Sequence, residues 1–537
     1  MSKNVLFIMC DQLRYDYLSC AGHPHLHTPH IDALAKRGVR FTNAYAQSTI
    51  CGPSRMSFYT GRYVRSHGST WNMFPLRVGE QTLGDHLEPL GVRNVLCGKT
   101  HMTADTEGMK RLGIELDSEI GARVSQCGFE VWDRLDGVHP TGGEKKPTHY
   151  NDYLWNKGYD GENPWHDWAN SGESDTGEIL SGWLMENSSE AARIDEADSE
   201  TAYTTSRALE FMNSAGDKPW CLHLSYIKPH WPYIAPSPYD KMYSEKDVLP
   251  VCRSETEKDN AHPVLSAFSE HRVSQLFARP GVCETVIPVY MGLITQIDDQ
   301  IGRLVEYLRA TGKDKDTLIV FTSDHGDYLG DHWLGEKELF HDCSVKIPLI
   351  VVDPTPEADS TRGQENPALV EAIDLVPSFI DYFDGSIPDH VVEGQSLLPL
   401  VRGETLSLRD FVISEYDYSP RKARKTLDQP ISECRMVMAF DGRFKLIDVK
   451  NYRPMLFDLA EDPSEFNDLG KDDAYSDIRE RLLGHIFEWS CRHHSRTTMS
   501  DDEIASFSGQ EFFAGVKIGF WNEADLADAR GKKDGGN

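Results

Sequence analysis

Short apolar runs bounded by turn residues recur along the chain, and longer segments with helical spacing separate them. The runs cover residues 4–10, 94–97, 220–226 and 317–322. Because a strand inside a parallel sheet is buried on both faces, it has a continuous apolar run rather than an alternating pattern. The pattern predicts an α/β fold with a large, mostly parallel sheet flanked by helices.

Two helices are predicted between these runs. Thr28 can cap a helix with Pro29 at its first position and Gly38 just past its end. A longer helix is predicted near residues 289–310, where apolar residues recur at helical spacing: Ile294, Ile297, Ile301, Leu304, Val305 and Leu308. Both helices are interpreted as packing elements.

Residues 105–200 break this pattern, since they are acidic and rich in Gly and Asn. They predict an insertion over one face of a first domain that spans residues 1–400. The insertion carries Trp155, Trp165, Trp168 and Trp183 without a clear period. Packing into a satellite core is the favoured interpretation of these tryptophans, and the lining of a substrate mouth is the alternative.

The pattern changes again after about residue 400. Strand patterns at 435–440 and 444–448 are joined by a turn at Asp441 and Gly442, and a helix follows near 475–490. Residues 401–495 therefore predict a smaller α+β domain. Residues 496–537 predict a tail whose Phe-containing stretch, about 505–521, is a candidate contact with a partner subunit, and whose GKKDGGN end is disordered.

Composition excludes several classes of protein. The chain has 537 residues, 39% hydrophobic and 26% charged, as in globular proteins of more than one domain. Its net charge of −30 should repel nucleic acids and anionic lipid surfaces. Eleven cysteines without a CxxC pair predict free thiols in a reducing compartment. No leader-like or membrane-spanning run is visible, so we predict a cytoplasmic protein.

Each apolar run is followed by polar residues whose side chains could take part in catalysis or bind a metal. They are Asp11 after the first run, Lys99 and His101 after the second, Lys228 and His230 after the third, and Asp324 and His325 after the fourth. Because ligands of open α/β sheets bind at the carboxyl ends of the strands, these residues predict one site. Asp324-His325 alone would be interpreted as a strand-end turn that caps the next helix. With Asp11 on a neighbouring strand end, two carboxylates and an imidazole favour a divalent cation.

A second group of histidines is interpreted differently. His23, His25, His27 and His30 cluster in AGHPHLHTPH, and histidine-rich stretches can bind metals. The prolines and the predicted helix cap explain this segment as a connection between a strand and a helix, which we favour over metal binding.

Several short motifs follow one another along most of the chain. They are DQ at 11–12, TPHIDALAKRGVRFTNAY at 28–45, CGPSR at 51–55, GKTH at 98–101, KPHWPY at 228–233, FTSDHGDYLGDH at 321–332, Lys337 and LFDLAEDPSEFNDL at 456–469. CGPSR matches the C-x-P-x-R signature of sulfatases. The chain resembles the sulfatase family of the alkaline phosphatase superfamily, especially the subgroup of arylsulfatases and phosphonate monoester hydrolases.

The resemblance implies an alkaline-phosphatase-like sandwich and a cysteine, Cys51, that a maturation enzyme oxidises to formylglycine. The implied ligands of one divalent metal are Asp11, Gln12, residue 51, Asp324 and His325. One hydroxyl of the hydrated aldehyde would attack sulfur in line and displace the alcohol, which leaves a sulfated hemiacetal. The second hydroxyl would then expel sulfate and restore the aldehyde.

The resemblance also assigns a role to each remaining residue of the implied site. Arg55 would hold the metal-bound oxygen, Lys99 and Lys337 the sulfuryl oxygens, His230 would protonate the leaving group, and His101 would act as the base of the second step. A helix predicted to open at Pro53 would add amide dipoles that face the anion. Asn72 would bind substrate.

Two substrate classes compete. Asn72 and CGPSR fit phosphonate monoester hydrolases, which typically have Tyr and Thr where this chain has Lys99 and His101, the sulfatase form. We therefore predict an arylsulfatase-type hydrolase of small sulfate monoesters, with promiscuous phosphonate monoester and phosphodiester hydrolysis. The alternatives are a phosphonate monoester hydrolase or phosphodiesterase as the main activity, and an anion-binding pseudoenzyme with unmodified Cys51.

The ligand set favours particular metals. Many sulfatases have a second aspartate and an asparagine where this chain has Gln12 and His325, so we favour Mn²⁺ or Zn²⁺ over Ca²⁺. The expected partners are a small monoanionic ester, the maturation enzyme and further copies of the chain in a dimer or tetramer. Polyanionic sulfated chains should be disfavoured by the acidic surface.

Overall fold

The computed structural model describes residues 3–137, 148–259, 261–492, 495–507 and 519–531. Its strands are β1 (Asn4–Asp11), β2 (Val39–Tyr45), β3 (Arg93–Gly98), β4 (Glu130–Arg134), β5 (Ser171–Glu173), β6 (Ile179–Ser181), β7 (Ala191–Ala192), β8 (Trp220–Pro229), β9 (Ala235–Pro236), β10 (Thr317–Ser323), β11 (Leu349–Val352), β12 (Gln364–Glu371), β13 (Val412–Asp417), β14 (Arg435–Phe440), β15 (Phe444–Val449) and β16 (Met455–Asp458).

The α-helices are α1 (Pro29–Arg37), α2 (Cys51–Thr60), α3 (Val64–His67), α4 (Leu83–Leu87), α5 (Thr106–Leu112), α6 (Glu119–Val124), α7 (His149–Lys157), α8 (Glu200–Ser214), α9 (Pro263–Ser269), α10 (Arg272–Phe277), α11 (Val282–Thr311), α12 (Asp342–Val345), α13 (Leu375–Tyr382), α14 (Leu398–Val401), α15 (Lys422–Thr426), α16 (Ser476–Ser490), α17 (Asp501–Phe507) and α18 (Glu523–Gly531). None of the helices within the described ranges is long and apolar enough to cross a lipid bilayer.

Eight strands form the large sheet, in the order β12-β2-β11-β10-β1-β8-β3-β4. β11 runs antiparallel to both of its neighbours, and the other neighbouring pairs are parallel. The carboxyl ends of β10, β1, β8 and β3 therefore lie side by side. The predicted α/β fold with a mixed, mostly parallel sheet is confirmed.

Helices cover both faces of this sheet. Successive residues of a strand point to opposite faces, so Phe7 packs in a core with residues of α2, α4 and α13, while Ile8 packs in a core with residues of α1, α8 and α11. Burying apolar side chains on both faces is the main stabilising contribution to such a sandwich.

A second, antiparallel sheet follows in the order β13-β14-β15-β16, with α16 packed against it. This confirms a small C-terminal sheet domain. Its residues Val412 and Met436 share a core with Tyr45 and Val345. Met1–Ile387 and Val392–Arg492 accordingly form one compact unit, whereas Pro388–Val391 and His493–Asn537 form another. The predicted boundaries near residues 400 and 495 stay a prediction.

The local predictions agree with the structure in most places. The four apolar runs correspond to β1, β3, β8 and β10, and the two C-terminal strand patterns to β14 and β15. The long helix is longer than predicted, because α11 begins at Val282 and has Pro288 in its interior. Most of the tail stretch at 505–521 and nearly all of GKKDGGN lie outside the described residues.

The insertion at 105–200 contains short helices and strands, and its tryptophans have different surroundings. Trp165 lies in a small core with Tyr150 and Ile234. Trp183 contacts Trp231 edge-on, with ring centroids 4.9 Å apart. The first observation agrees with packing into a satellite core, and the second brings the insertion to a residue that follows β8.

Candidate active site

Four strand ends bring most of the predicted residues together. Asp11 ends β1, Lys99 follows β3, His230 follows β8, and Asp324 follows β10. Because these strands are neighbours in the sheet, their ends meet along one edge. Lys228 is the exception, since its ammonium is bound by Asn170 (2.9 Å) and by the carbonyl of Pro232 (2.8 Å).

Cys51 lies at the centre of this group, at the first turn of α2. Its Sγ is 3.1 Å from Nε2 of His325, 3.2 Å from Nζ of Lys337 and 3.7 Å from Oδ1 of Asp11. The sequence predicted that this helix begins at Pro53, but it begins at Cys51. The amide of Gly52 in that first turn donates to Oδ1 of Asn72 at 2.8 Å.

The surroundings of Cys51 favour a negative charge. Burial alone would raise the pKa of its thiol, but Lys337, His325 and Lys99 together with a hydrogen bond from His101 hold this pKa well below its usual value. An oxyanion at this position would be stabilised by the same groups.

Arg55 is fully buried and links the two carboxylates. Its Nε donates to Asp324 (2.8 Å), its Nη2 to Asp11 (3.1 Å), and its Nη1 to the carbonyl of Lys99 (3.0 Å) and to Oγ of Ser225 (2.8 Å). The guanidinium thus fixes the positions of three strand ends relative to α2. Ser225 was not predicted from the sequence, because serine inside an apolar run gives no functional signal.

The donor set fits a divalent cation. Asp11, Cys51, Asp324 and His325 are buried and offer ligand atoms that all lie within 4.8 Å of one another. Nδ1 of His325 is 2.9 Å from the carbonyl of Gly326, so the proton of neutral His325 belongs on Nδ1, and the Nε2 lone pair faces the carboxylates. This is the tautomer that binds a metal.

Gln12 is held in one orientation by residues that the sequence did not suggest. Its Nε2 donates to Oδ2 of Asp327, which also accepts from the hydroxyl of Tyr233 at 2.6 Å. Its Oε1 therefore faces the site, where it accepts from Nζ of Lys337 at 2.8 Å. Asp327 lies two residues after His325, inside the motif FTSDHGDYLGDH, but the sequence assigned it no role.

The two lysines keep their charge. Nζ of Lys99 is 2.6 Å from Oδ2 of Asp11. Burial opposes the charge of both lysines, yet Asp11 raises the pKa of Lys99 and the Cys51 thiolate raises that of Lys337. Both side chains are therefore cationic near neutral pH.

His230 approaches from the side of the insertion. Its Nε2 is 3.9 Å from Asp11, its Nδ1 is 2.7 Å from the carbonyl of Trp231, and its ring stacks on Trp231 with centroids 4.8 Å apart. Burial lowers the pKa of His230, and Lys337 adds to this effect. Because Nδ1–H of neutral His230 donates to the carbonyl of Trp231, His230 can give a proton from Nε2 only as an imidazolium.

Comparison with known proteins finds matches that together cover most of the chain. A model of the sulfatase family matches residues 3–386, and a model described as N-sulphoglucosamine sulphohydrolase, C-terminal, matches residues 330–491. The multifunctional alkaline phosphatase superfamily protein PehA of Trinickia caryophylli is 31% identical over 520 residues, which cover 92% of this chain and 96% of that protein.

Two further relatives represent the two competing substrate classes. The solved structure of a phosphonate monoester hydrolase from Silicibacter pomeroyi has a TM-score of 0.80 at 29% identity and covers 93% of this chain and 96% of its own. An arylsulfatase of Clostridium perfringens is 25% identical over 503 residues, 89% of this chain and 92% of that protein.

Proposed function

This chain belongs to the sulfatase family, and from that premise we propose that it hydrolyses small sulfate monoesters of the aryl type. Family membership supports hydrolysis of a sulfate or phosphonate ester. One observation carries the choice of sulfate: Lys99 and His101, the sulfatase pair, lie against Asp11 and Cys51. Phosphonate monoesters and phosphodiesters are proposed as slower substrates.

Each side chain has a task in this proposal. A divalent cation held by Asp11, Gln12, Asp324 and His325 would polarise the ester and make an oxygen on residue 51 more acidic. The ammonium groups of Lys99 and Lys337 stabilise the charge that develops on the sulfuryl oxygens.

The two histidines handle protons. His230 gives the Nε2 proton to the leaving alcohol when it is an imidazolium, a form that burial and Lys337 disfavour and that the negative charge developing on the leaving oxygen favours. His101 takes a proton from residue 51 in the second step. Arg55 keeps both carboxylates in place while the charge at residue 51 changes.

Parallel rates test the choice of substrate. We expect kcat/KM for p-nitrophenyl sulfate to exceed kcat/KM for p-nitrophenyl phenylphosphonate. The double variant Lys99→Tyr with His101→Thr, which has the pair typical of phosphonate hydrolases, should shift the ratio of the two values toward phosphonate by about tenfold or more. Lys218→Tyr, an exposed lysine at the other end of the sheet, is the control. A wild-type preference for phosphonate by several orders of magnitude would support the second candidate.

That second candidate is a phosphonate monoester hydrolase or phosphodiesterase. It is favoured by the similarity over nearly the whole chain to the phosphonate monoester hydrolase of Silicibacter pomeroyi. Asn72, whose side chain binds the first turn of α2, is also shared with that subgroup.

Two measurements test the cofactors. The mass of the tryptic peptide with residue 51 should be lower than that of the thiol form by the difference between CH₂SH and CHO, after co-expression with the maturation enzyme. A fully unmodified peptide from an inactive protein would favour the anion-binding pseudoenzyme. Elemental analysis should find about one Mn²⁺ or Zn²⁺ per chain, and stoichiometric Ca²⁺ would contradict the inference from Gln12 and His325.

A further inference from the structure

The loop after β3, residues 99–102, has a backbone that needs support. Gly98, the last residue of β3, has φ +108°, and His101 within the loop has φ +54°, both in the left-handed region. A side chain other than glycine in this region costs roughly 1 kcal/mol or more. The loop carries Lys99 and His101, so whatever holds it also sets the position of both side chains.

Asp136 and Arg134 close this loop from the neighbouring strand. Oδ1 of Asp136 accepts from the amides of Thr100 (2.7 Å) and His101 (3.1 Å), and its Oδ2 accepts from Nε of Arg134 (2.7 Å). Nη2 of Arg134 donates to the carbonyl of Met102 at 3.0 Å. One ion pair at the end of β4 thus binds both sides of the bend at His101.

The imidazole of His101 makes this support more important. Its Nδ1 is buried and has no hydrogen-bond partner among the described residues, while the imidazole lies close enough to Cys51 to help lower the pKa of the thiol. Histidines that move protons are commonly oriented by a hydrogen bond to their second nitrogen. Since none of the described residues makes that bond, the backbone of His101 is what orients the ring.

Lys99 has an independent anchor. Its amide donates to the carbonyl of Ser225 at 3.0 Å, and its own carbonyl accepts from Arg55. Loss of Asp136 should therefore displace His101 more than Lys99.

Burial opposes the charge of Asp136, but Arg134 and the two amides lower its pKa to about 2, so the carboxylate is ionised at working pH.

We propose that Asp136, aligned by Arg134, is a positioning residue that holds His101 against residue 51 through the backbone. The inference rests on the proposed function, in which His101 is the base of the second step. It gives the edge strand β4 a role beyond completing the sheet, because β4 delivers Arg134 and Asp136 to the site.

The test compares Asp136→Ala with Asp136→Asn, which keeps an oxygen that can accept both amides. Glu130→Ala is the matched control, since Glu130 lies at the other end of β4. Its Oε1 forms an ion pair with Nη2 of Arg93 at 2.6 Å. Hydrogen exchange is followed in peptides that cover residues 98–102, and steady-state and burst kinetics are measured with p-nitrophenyl sulfate.

In Asp136→Ala, the amides of Thr100 and His101 should exchange about tenfold faster or more. The kcat should fall about 10- to 100-fold, while kcat/KM changes less than about threefold and a burst of one p-nitrophenol per site appears. The burst is expected because only the second step loses its base. Asp136→Asn should recover most of kcat, and Glu130→Ala should resemble the wild type in both measurements.

The outcomes separate the two hypotheses. A wild-type enzyme that hydrolyses no sulfate ester contradicts the proposed function, whereas the exchange data still report on the loop. An active wild type whose Asp136→Ala variant keeps its kcat contradicts the positioning role. Equal losses in Asp136→Ala and Glu130→Ala, without a burst, would show that the ion pair contributes only to stability.

Discussion

At the residue scale, the buried charges of Arg55 and Lys445 each lie between two carboxylates. Arg55 is fully buried between Asp11 and Asp324, and Lys445 between Asp342 and Glu465. A buried charge is tolerated when hydrogen bonds and opposite charges replace the water it has lost. The buried charge of Glu415 on β13 is less well compensated by its partners, and the ionisation of Glu415 should therefore lower the stability of the fold.

Glu415 is 8% exposed, and its Oε2 accepts from the amide of Arg65 at 2.9 Å. Burial raises its pKa from 4.5 to about 7. Between these values the folded protein holds a proton that the unfolded chain has released, so stability falls as pH rises through this window. Glu415→Gln should leave Tm unchanged below the unfolded pKa.

Above pH 7 the same Glu415→Gln variant should gain stability of up to about 3 kcal/mol, because the neutral amide has no proton to lose. Tm is measured for variant and wild type on both sides of the window. Glu404→Gln, an exposed glutamate, serves as the control and should show no pH-dependent difference. Equal Tm differences at all pH values would contradict this prediction.

At the element scale, α1 shows how a local signal can be right about a boundary and wrong about its cause. Thr28 is the residue before α1, as predicted, but its side chain makes no capping bond and instead contacts Ser19. The amides of His30 and Ile31 donate to the carboxylate of Asp298 on α11, at 3.1 and 2.7 Å. The cap is therefore supplied by another helix.

Asp298→Ala should destabilise the fold by about 1–2 kcal/mol, because the amides of His30 and Ile31 in the first turn of α1 lose their acceptor. Asp298→Asn should retain most of the stability, since its oxygen can still accept. Glu306→Ala, an exposed position on the same helix, controls for the change in helix propensity. The comparison is made by Tm, and a Thr28→Ala variant that costs more than Asp298→Ala would contradict the assignment.

At the scale of the whole molecule, the sign of the charge changes between the surface and the site. The chain carries a net charge of −30, whereas Arg55, Lys99 and Lys337 are gathered around Cys51. Surface charges are screened over about 8 Å at physiological salt, so the local cations act on a small bound anion and the surface acts on its approach.

We therefore expect kcat/KM for a monoanionic aryl sulfate to rise about two- to fivefold as ionic strength increases from about 10 to 150 mM. A zwitterionic sulfate ester is the control and should change much less, because its net charge is zero. A highly sulfated polysaccharide should be a poor substrate at both ionic strengths. A fall in kcat/KM with added salt for the monoanion would show that the surface attracts it.

The residues of the site were predictable to the extent that they follow apolar runs. Asp11 ends a buried strand, Lys99, His230 and Asp324 come directly after buried strands, and Cys51 lies in a short motif. Asp136, Asp327 and Ser225 give no comparable signal, since single polar residues occur in most loops and strands. Their partners are set by which strands and loops become neighbours.

The sequence by itself determined the class of fold, the four central strands and the family, because these depend on apolar runs and on motifs that are local in the chain. Only the tertiary structure decided that Asp327 orients Gln12, that Asp136 holds His101 and that Asp298 caps α1. These contacts join residues far apart in the chain. They depend on the order of strands in the sheet and on the packing of helices over it, which hydrophobic periodicity does not specify.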